Sequence, residues 1–308
     1  MMLEELNQAV EDGSINEIVR VAEARQVKNL GRIADDICAR DGKRLVLLAG
    51  ASSAGKTTTA IRLSTQLRVN ERKVLRLSTD DYFVGDERNP RDEHGNLDYE
   101  HVECVDIPRL AQDVNALLRG EEIFEHRFDF IRHEGYDSGR TLFLPPGGMV
   151  VLEGIHALNP RMSEGIDEAV KYRVFIEPKP NLELFLDLRP KSSTARLLRR
   201  LVRDNRFRRL NPATTFKMWP NVLAGEEKWI NPFRHLADAE FDSYLCYELA
   251  ALKFYAGGLL ARAQREMGEL PEIMNLVRLL TPVSPISPDI IPGNSILRET
   301  IGNSQLDY

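Results

Sequence analysis

Cysteine is scarce and scattered in this chain of 308 residues: Cys38, Cys104 and Cys246 stand far apart and form no C-x-x-C pair. A disulfide framework is thereby excluded and a zinc site disfavoured, which fits a reducing, cytoplasmic setting. No apolar run approaches the ~20 residues needed to cross a bilayer. The opening residues, Met1-Met2-Leu3-Glu4-Glu5, are acidic and lack the pattern of a signal peptide. Positive charge is not in surplus, with 41 Lys and Arg against 47 Asp and Glu and a net charge of −6, so a nucleic-acid partner is not expected. No N-K-x-D segment is present to read guanine, and no internal repeat or low-complexity tract appears. What remains is a chain that is 43% apolar, ordinary for a globular core and long enough for one large domain or two small ones.

Against these absences stands one strong motif. Gly50-Ala51-Ser52-Ser53-Ala54-Gly55-Lys56-Thr57-Thr58 satisfies G-x-x-x-x-G-K-[ST] at every fixed position. An apolar run, Leu45-Val46-Leu47-Leu48-Ala49, precedes it as a buried strand, and helix-forming sequence follows from Lys56 to Val69. That strand–loop–helix order is the context the motif requires. The glycines let backbone N–H groups converge on an anion, and the helix N-terminus adds partial positive charge. Lys56 is placed to reach the outer phosphates of ATP and Thr57 to meet Mg²⁺. A plain strand–helix turn would give the lysine and threonine no role.

Carboxylates and arginines extend the pattern. Asp80 and Asp81 follow the strand candidate Val74–Ser78, where ligands gather in parallel α/β sheets. One could accept a proton from an acceptor hydroxyl, and one could cap a helix. Glu153 ends the strand candidate Met149–Leu152 and is a second candidate for Mg²⁺. Arg196, Arg199, Arg200, Arg203, Arg206, Arg208 and Arg209 crowd fourteen residues and would repel one another without nearby anions. Such a helix suits a lid over phosphates, although a solvated face or an RNA-binding helix has the same composition. Arg127-Phe128-Asp129-Phe130-Ile131-Arg132-His133 alternates as a strand that either lines an acceptor pocket or is core.

Strand candidates, with Arg173–Ile176 as the last, alternate with helical stretches such as Pro108–Leu118. The expected fold is α/β, of the P-loop NTPase type, with a mainly parallel sheet and helices on both faces. Residues 1–42 read as a helical extension punctuated at Gly13-Ser14 and Gly31, and residues 43–280 as the phosphate-loop domain with a lid near 193–212. Residues 281–308 carry Pro282, Pro285, Pro288 and Pro292 and read as an extended tail on the surface. Gly85–Gly95, charged and rich in turn formers, reads as a mobile loop near the site.

Taken together the motifs resemble the uridine kinase/phosphoribulokinase family. The phosphate loop, Asp80-Asp81-Tyr82-Phe83, Tyr99-Glu100-His101, Phe128-Asp129-Phe130, Leu152-Glu153-Gly154-Ile155 and Arg199-Arg200-Leu201-Val202-Arg203-Asp204 occur in that family's order. Pro90-Arg91-Asp92-Glu93, Trp219-Pro220, Gly225-Glu226-Glu227-Lys228 and Asn294-Ser295-Ile296-Leu297-Arg298-Glu299 resemble a bacterial nucleoside kinase subgroup. The resemblance implies ATP-dependent phosphorylation of the 5′-hydroxyl of a pyrimidine nucleoside. It implies Asp80 as base, Thr57, Glu153 and Asp80 around Mg²⁺, and Lys56, Arg203 and Arg208 at the phosphates. It implies a nucleoside held by Asp81, Tyr82, Phe83, Tyr99, Glu100, Phe128, Asp129, His133 and Arg200, and assembly as a homodimer or homotetramer. Phe128 stands where the better-known uridine–cytidine kinases have tyrosine, while His133 matches their base-reading histidine. The rival readings are a sugar-phosphate acceptor, as in phosphoribulokinase, and a nucleotide-dependent regulatory or RNA-binding module.

Overall fold

The computed structural model describes residues 1–92, 95–183 and 190–308. In chain order the strands are β1 Leu45–Ala49, β2 Val74–Ser78, β3 Ile123–Asp129, β4 Glu134–Leu142, β5 Met149–Glu153, β6 Lys171–Glu177 and β7 Ala239–Asp242. The helices are α1 Leu3–Glu11, α2 Ile15–Ala39, α3 Lys56–Val69, α4 Ile107–Arg119, α5 Ser192–Phe207, α6 Pro212–Trp229, α7 Glu248–Met267, α8 Pro271–Leu280 and α9 Arg298–Ile301.

Five strands form one sheet in the order β2-β5-β1-β6-β7, every pairing parallel. The central strand β1 is apolar throughout because both its faces are covered. Leu45, Leu47 and Ala49 enter a core that includes Leu110, Val114 and Leu117 of α4. Val46 and Leu48 enter the opposite core, with residues of α2, α3, α5 and α7. A parallel sheet puts all strand C-termini on one edge. Register then decides the neighbours: Glu153 of β5 pairs with both Leu48 and Ser78, so the phosphate loop, the Asp80 block and Glu153 open at one place. Gly50 is needed at this turn, since a Cβ there would lie 2.4 Å from the carbonyl oxygen of Ile176.

The parallel α/β architecture follows the sequence pattern, and four of its strands fall on the expected apolar runs. The expected strand Arg127–His133 is corrected: β3 ends at Asp129 and residues 130–133 form the turn of a hairpin to β4; that hairpin and the short strand β7 were not anticipated. The hairpin stands outside the main sheet as an antiparallel pair with a register shift between Phe124 and His126. Among the described residues no helix is long and apolar enough to cross a membrane.

Both chain ends are knit into the core. The apolar face of α2 contributes Val19, Leu30, Ala34 and Ile37 to the cluster beneath α3, and Tyr172 of β6 donates to Asp36 at 2.5 Å. Gly31 corrects the expectation of a break, because α2 runs through it without interruption. A Cβ there would sit 3.5 Å from Gln66 of α3, an ordinary contact. The tail is likewise not simply draped over the surface. Ser295, Ile296, Leu297 and Ile301 are buried, and α9 forms within it. Its prolines break helix but do not prevent the intervening apolar residues from packing.

Gly31→Ala should therefore stabilise the protein by up to about 1 kcal/mol, by removing a mid-helix glycine without a clash. Urea unfolding of the variant checks this; a true helix break at Gly31 would give destabilisation.

Candidate phosphotransfer site

The phosphate loop is curled by two left-handed residues, Ser53 at φ 61° and Gly55 at φ 89°. Ala54 N–H donates to the Ala51 carbonyl at 3.0 Å, and Lys56 Nζ reaches the same oxygen at 3.4 Å. The first intrahelical bond of α3 runs from Thr59 N–H to the Gly55 carbonyl at 3.0 Å. The N–H groups of Lys56, Thr57 and Thr58 thus have no partner inside the helix, as expected of a first turn. From the other side α5 fixes the loop carbonyls. Arg196 donates to Ser52 O at 3.3 Å, and Arg199 to Ser53 O at 3.4 Å and Ala54 O at 3.3 Å. Arg200 donates to Ser52 Oγ at 2.7 Å. With its carbonyls tied and its peptides planar, the loop has its N–H groups set before any anion arrives.

Acid groups face this loop. Thr57 Oγ1 donates to Glu153 Oε1 at 2.9 Å, and Ser78 Oγ to the same oxygen at 3.3 Å. Glu153 is buried, and burial, with the nearby charge of Asp80, pushes its carboxyl up to about 7 against the pull of Lys56. Asp80 is exposed at the start of a 3-10 turn, with its N–H on Ser78 Oγ. A buried carboxylate, a hydroxyl and a second carboxylate make a donor set suited to a hard cation such as Mg²⁺. Among the described residues no group of three His, Cys, Asp or Glu gathers into a cage.

Near Arg200 and Lys56, Glu100 is pushed up to about 7 by burial, while those two cations pull it down. It lies against α6 at Gly225, where a Cβ would come within 2.5 Å of the Glu100 Cβ. Phe83, Phe128 and Phe130 form an edge-to-face set with centroids 5.0–5.8 Å apart. Beside it, Asp86 Oδ1 joins Tyr99 Oη at 3.1 Å and His133 Nδ1 at 3.0 Å. His133 sits at φ 57° in the hairpin turn. Asp81 pairs with Arg127 at 3.3 Å.

Two expected acceptor contacts, and His101 of the Tyr99-Glu100-His101 motif, have partners within the protein. Tyr82 is buried and donates its hydroxyl to Asp113 at 3.0 Å; an aromatic hydroxyl inside a core must find such a partner. Asp129 accepts from the N–H groups of Ile131 and Arg132 at 2.8 and 3.1 Å, so it caps the hairpin turn. His101 accepts from Glu103 N–H and packs on Trp229 with centroids 4.4 Å apart.

The arginine cluster also departs from expectation. Five of its members meet carboxylates of the chain itself: Arg196 meets Glu226, Arg199 meets Glu248, and Arg200, Arg203 and Arg208 share Asp204. Arg206 instead lies over the Tyr255 ring at 4.6 Å. The anions that offset their repulsion are internal, and α5 is packed onto the phosphate loop.

Residues 45–249 match the model of the Phosphoribulokinase / Uridine kinase family. The chain belongs to this family. Its similarity extends to a uridine kinase of Deinococcus deserti, 30% identical over 192 residues, which covers 62% of this chain and 83% of that protein. A uridine kinase of Halobacterium salinarum is 28% identical over 193 residues, 62% of this chain and 76% of that protein. The fold is shared with a solved Silicibacter sp. TM1040 protein provisionally described as a fructose transport system kinase, with a TM-score of 0.50 and 20% identity over 68% of this chain and 98% of that one. The chain is therefore a kinase of the phosphoribulokinase/uridine kinase family, and membership implies use of ATP. Of its Pro90-Arg91-Asp92-Glu93 segment, Glu93 lies outside the described residues.

Sequence reasoning gave no role to Ser78, Asp86, Asp113, Asp204, Glu226 and Glu248, although Asp204 and Glu226 stand in the motifs that carry the resemblance; Asp204, beside Arg203 and four residues after Arg200, also carried a local signal.

Two outcomes test this geometry. Arg199→Ala should cost about 3–5 kcal/mol, because Glu248 would be left charged and dry; chemical unfolding checks it, and a loss below 1 kcal/mol would remove the pair from its structural role. The second concerns pH. Glu153 binds its proton more tightly folded than unfolded, so its contribution to stability is present below the ordinary carboxylate value and is lost as pH rises through about 7. Thermal melts of the nucleotide-free protein should fall between pH 5 and pH 8 with a slope that Glu153→Gln reduces.

Proposed function

We propose that the protein transfers the γ-phosphoryl group of ATP to the 5′-hydroxyl of a pyrimidine nucleoside, uridine or cytidine. The observation that carries this reading is the aromatic set of Phe83, Phe128 and Phe130 beside the Asp86–Tyr99–His133 cluster. Aromatic faces stack on a base, and the polar cluster offers hydrogen-bonding groups to its edge. A sugar-phosphate acceptor would want free cations, yet four arginines of α5, and Arg208 just after it, are already paired with carboxylates.

In this reading the triphosphate lies on residues 50–58, with Lys56 toward its outer phosphates. Asp80 is the base: the acceptor hydroxyl gives its proton to that carboxylate as its oxygen bonds to the γ-phosphorus. The bond from the γ-phosphorus to the β–γ bridging oxygen breaks, and ADP leaves with that electron pair. Thr57 and Glu153 would hold Mg²⁺, which would supply charge neutralisation at the phosphates when bound, with Asp80 free to act as base. Glu100 accepts from the ribose hydroxyls, aided by its neighbour Arg200. Phe128 offers the base no hydroxyl, so stacking and His133 read it.

Coupled ADP release with uridine, cytidine, adenosine, guanosine, ribulose 5-phosphate and no acceptor tests the reading. Stimulation by a pyrimidine nucleoside is expected; stimulation by the sugar phosphate alone would overturn it. Asp80→Asn should lower kcat by about 10²–10⁴-fold while ATP affinity stays within about threefold. Equal losses in both would remove Asp80 as base.

A further inference from the structure

The end of the chain reaches the start of α3. Glu299 Oε2 accepts from Thr58 Oγ1 at 2.6 Å and from Thr58 N–H at 3.3 Å. Tyr308 Oη lies 3.0 Å from the same threonine hydroxyl. Ile296 closes over Gly55, where an added Cβ would come within 2.4 Å of its Cδ1. Ser53, Gly55, Arg199, Arg203, Ile296 and Glu299 together line a narrow crevice.

Thr58 N–H belongs to the unpaired first turn of α3, one of the donors that a phosphate-binding helix turns toward an anion. Here that donor and its side-chain hydroxyl already hold an anion, and the anion is a carboxylate of the chain. Glu299 also adds to the negative potential that raises Glu153. A triphosphate entering the loop brings further negative charge to the same place, and one N–H donor cannot serve two anions well. Either the nucleotide avoids Thr58 or the carboxylate leaves.

The segment that would move is tethered on both sides. Arg298 donates to the carbonyls of Pro288 at 3.0 Å and Gly302 at 3.2 Å. Ser295 Oγ lies 3.5 Å from Tyr247 Oη, which donates to Glu23 of α2 at 2.7 Å. Arg62 of α3 donates to Gln26 of α2 at 2.8 Å and stands 3.7 Å from Glu23. One buried polar chain thus joins the extension, the phosphate-loop helix and the tail.

We propose that Glu299 is a resident anion of the nucleotide site: its carboxylate occupies the Thr58 position that a phosphate of the nucleotide takes, and binding displaces it. Glu299, with Tyr308 beside it, then sets nucleotide affinity. The inference rests on the nucleotide lying on residues 50–58 and is independent of which acceptor is used.

The test is calorimetric titration of the full chain with MgATP and MgADP, with no acceptor present. Glu299→Gln keeps an oxygen for Thr58 but removes the charge, and should tighten both nucleotides at least fivefold. Tyr308→Phe, at an exposed residue, should tighten them less. In the unsubstituted protein, nucleotide should lower hydrogen-exchange protection over residues 295–301. Unchanged or weaker binding by Glu299→Gln, with the melting temperature retained, would overturn the proposal while leaving the kinase reading intact. So would tail protection that rises with nucleotide. No nucleotide binding by the protein or either variant would overturn both. Failure of every acceptor in the ADP-release panel, with the affinity gain present, would overturn only the acceptor reading.

Discussion

Arg199 is a guanidinium almost without water, and the shape of the nucleotide site depends on how its donors are used. Its side chain is 3% exposed and that of Glu248 is fully buried. Two parallel bonds of 2.6 Å join them. The remaining donors go to the Ser243 carbonyl and to the phosphate-loop carbonyls of Ser53 and Ala54. Such a pair adds little to net stability once desolvation is counted, but breaking it is costly, which gives it directional rather than energetic value. It locks α5 to α7 and the loop to both. A loop of small residues would otherwise lose much entropy on meeting an anion; here the ordering is done during folding.

Charge on the opposite side of the site is arranged in the reverse sense. Glu153 and Glu100 are carboxyls whose burial raises them to about 7, poised for relief by cations and hydrogen-bond donors. The resting protein thus has a loop with fixed donors and an acid wall short of counter-charge. In the proposed reading a metal–nucleotide complex would meet both needs at once.

Much of this was legible in the residues. β1 and β5 could be placed because strands covered on both faces are apolar over nearly their whole length, and the loop because its glycines, lysine and threonine have fixed spacing. The arginine helix was visible but its anions were not. Glu226 and Glu248 lie 30 and 49 residues from their partners, and no periodicity reports a contact at that range. Tyr82 and Asp129 had plausible site chemistry at plausible positions; packing against Asp113 and the geometry of a turn took them instead. Tail prolines signalled the absence of helix, correctly for most of the segment, but could not say whether Ile296 and Leu297 would find a core.

Thr58 and Glu299 are 241 residues apart in sequence, Glu23 and Tyr247 are 224, and Asn7 and Pro282 are 275. Contacts of such span close large loops, and they make folding slow compared with a chain of local contacts. Synthesis runs from the N-terminus, so α2 and the phosphate loop leave the ribosome long before their partners exist. During that interval the loop has neither the arginines that tie its carbonyls nor the carboxylate that fills its first turn. The nucleotide site is begun well before the segments that complete it and is among the last parts of the fold to be finished.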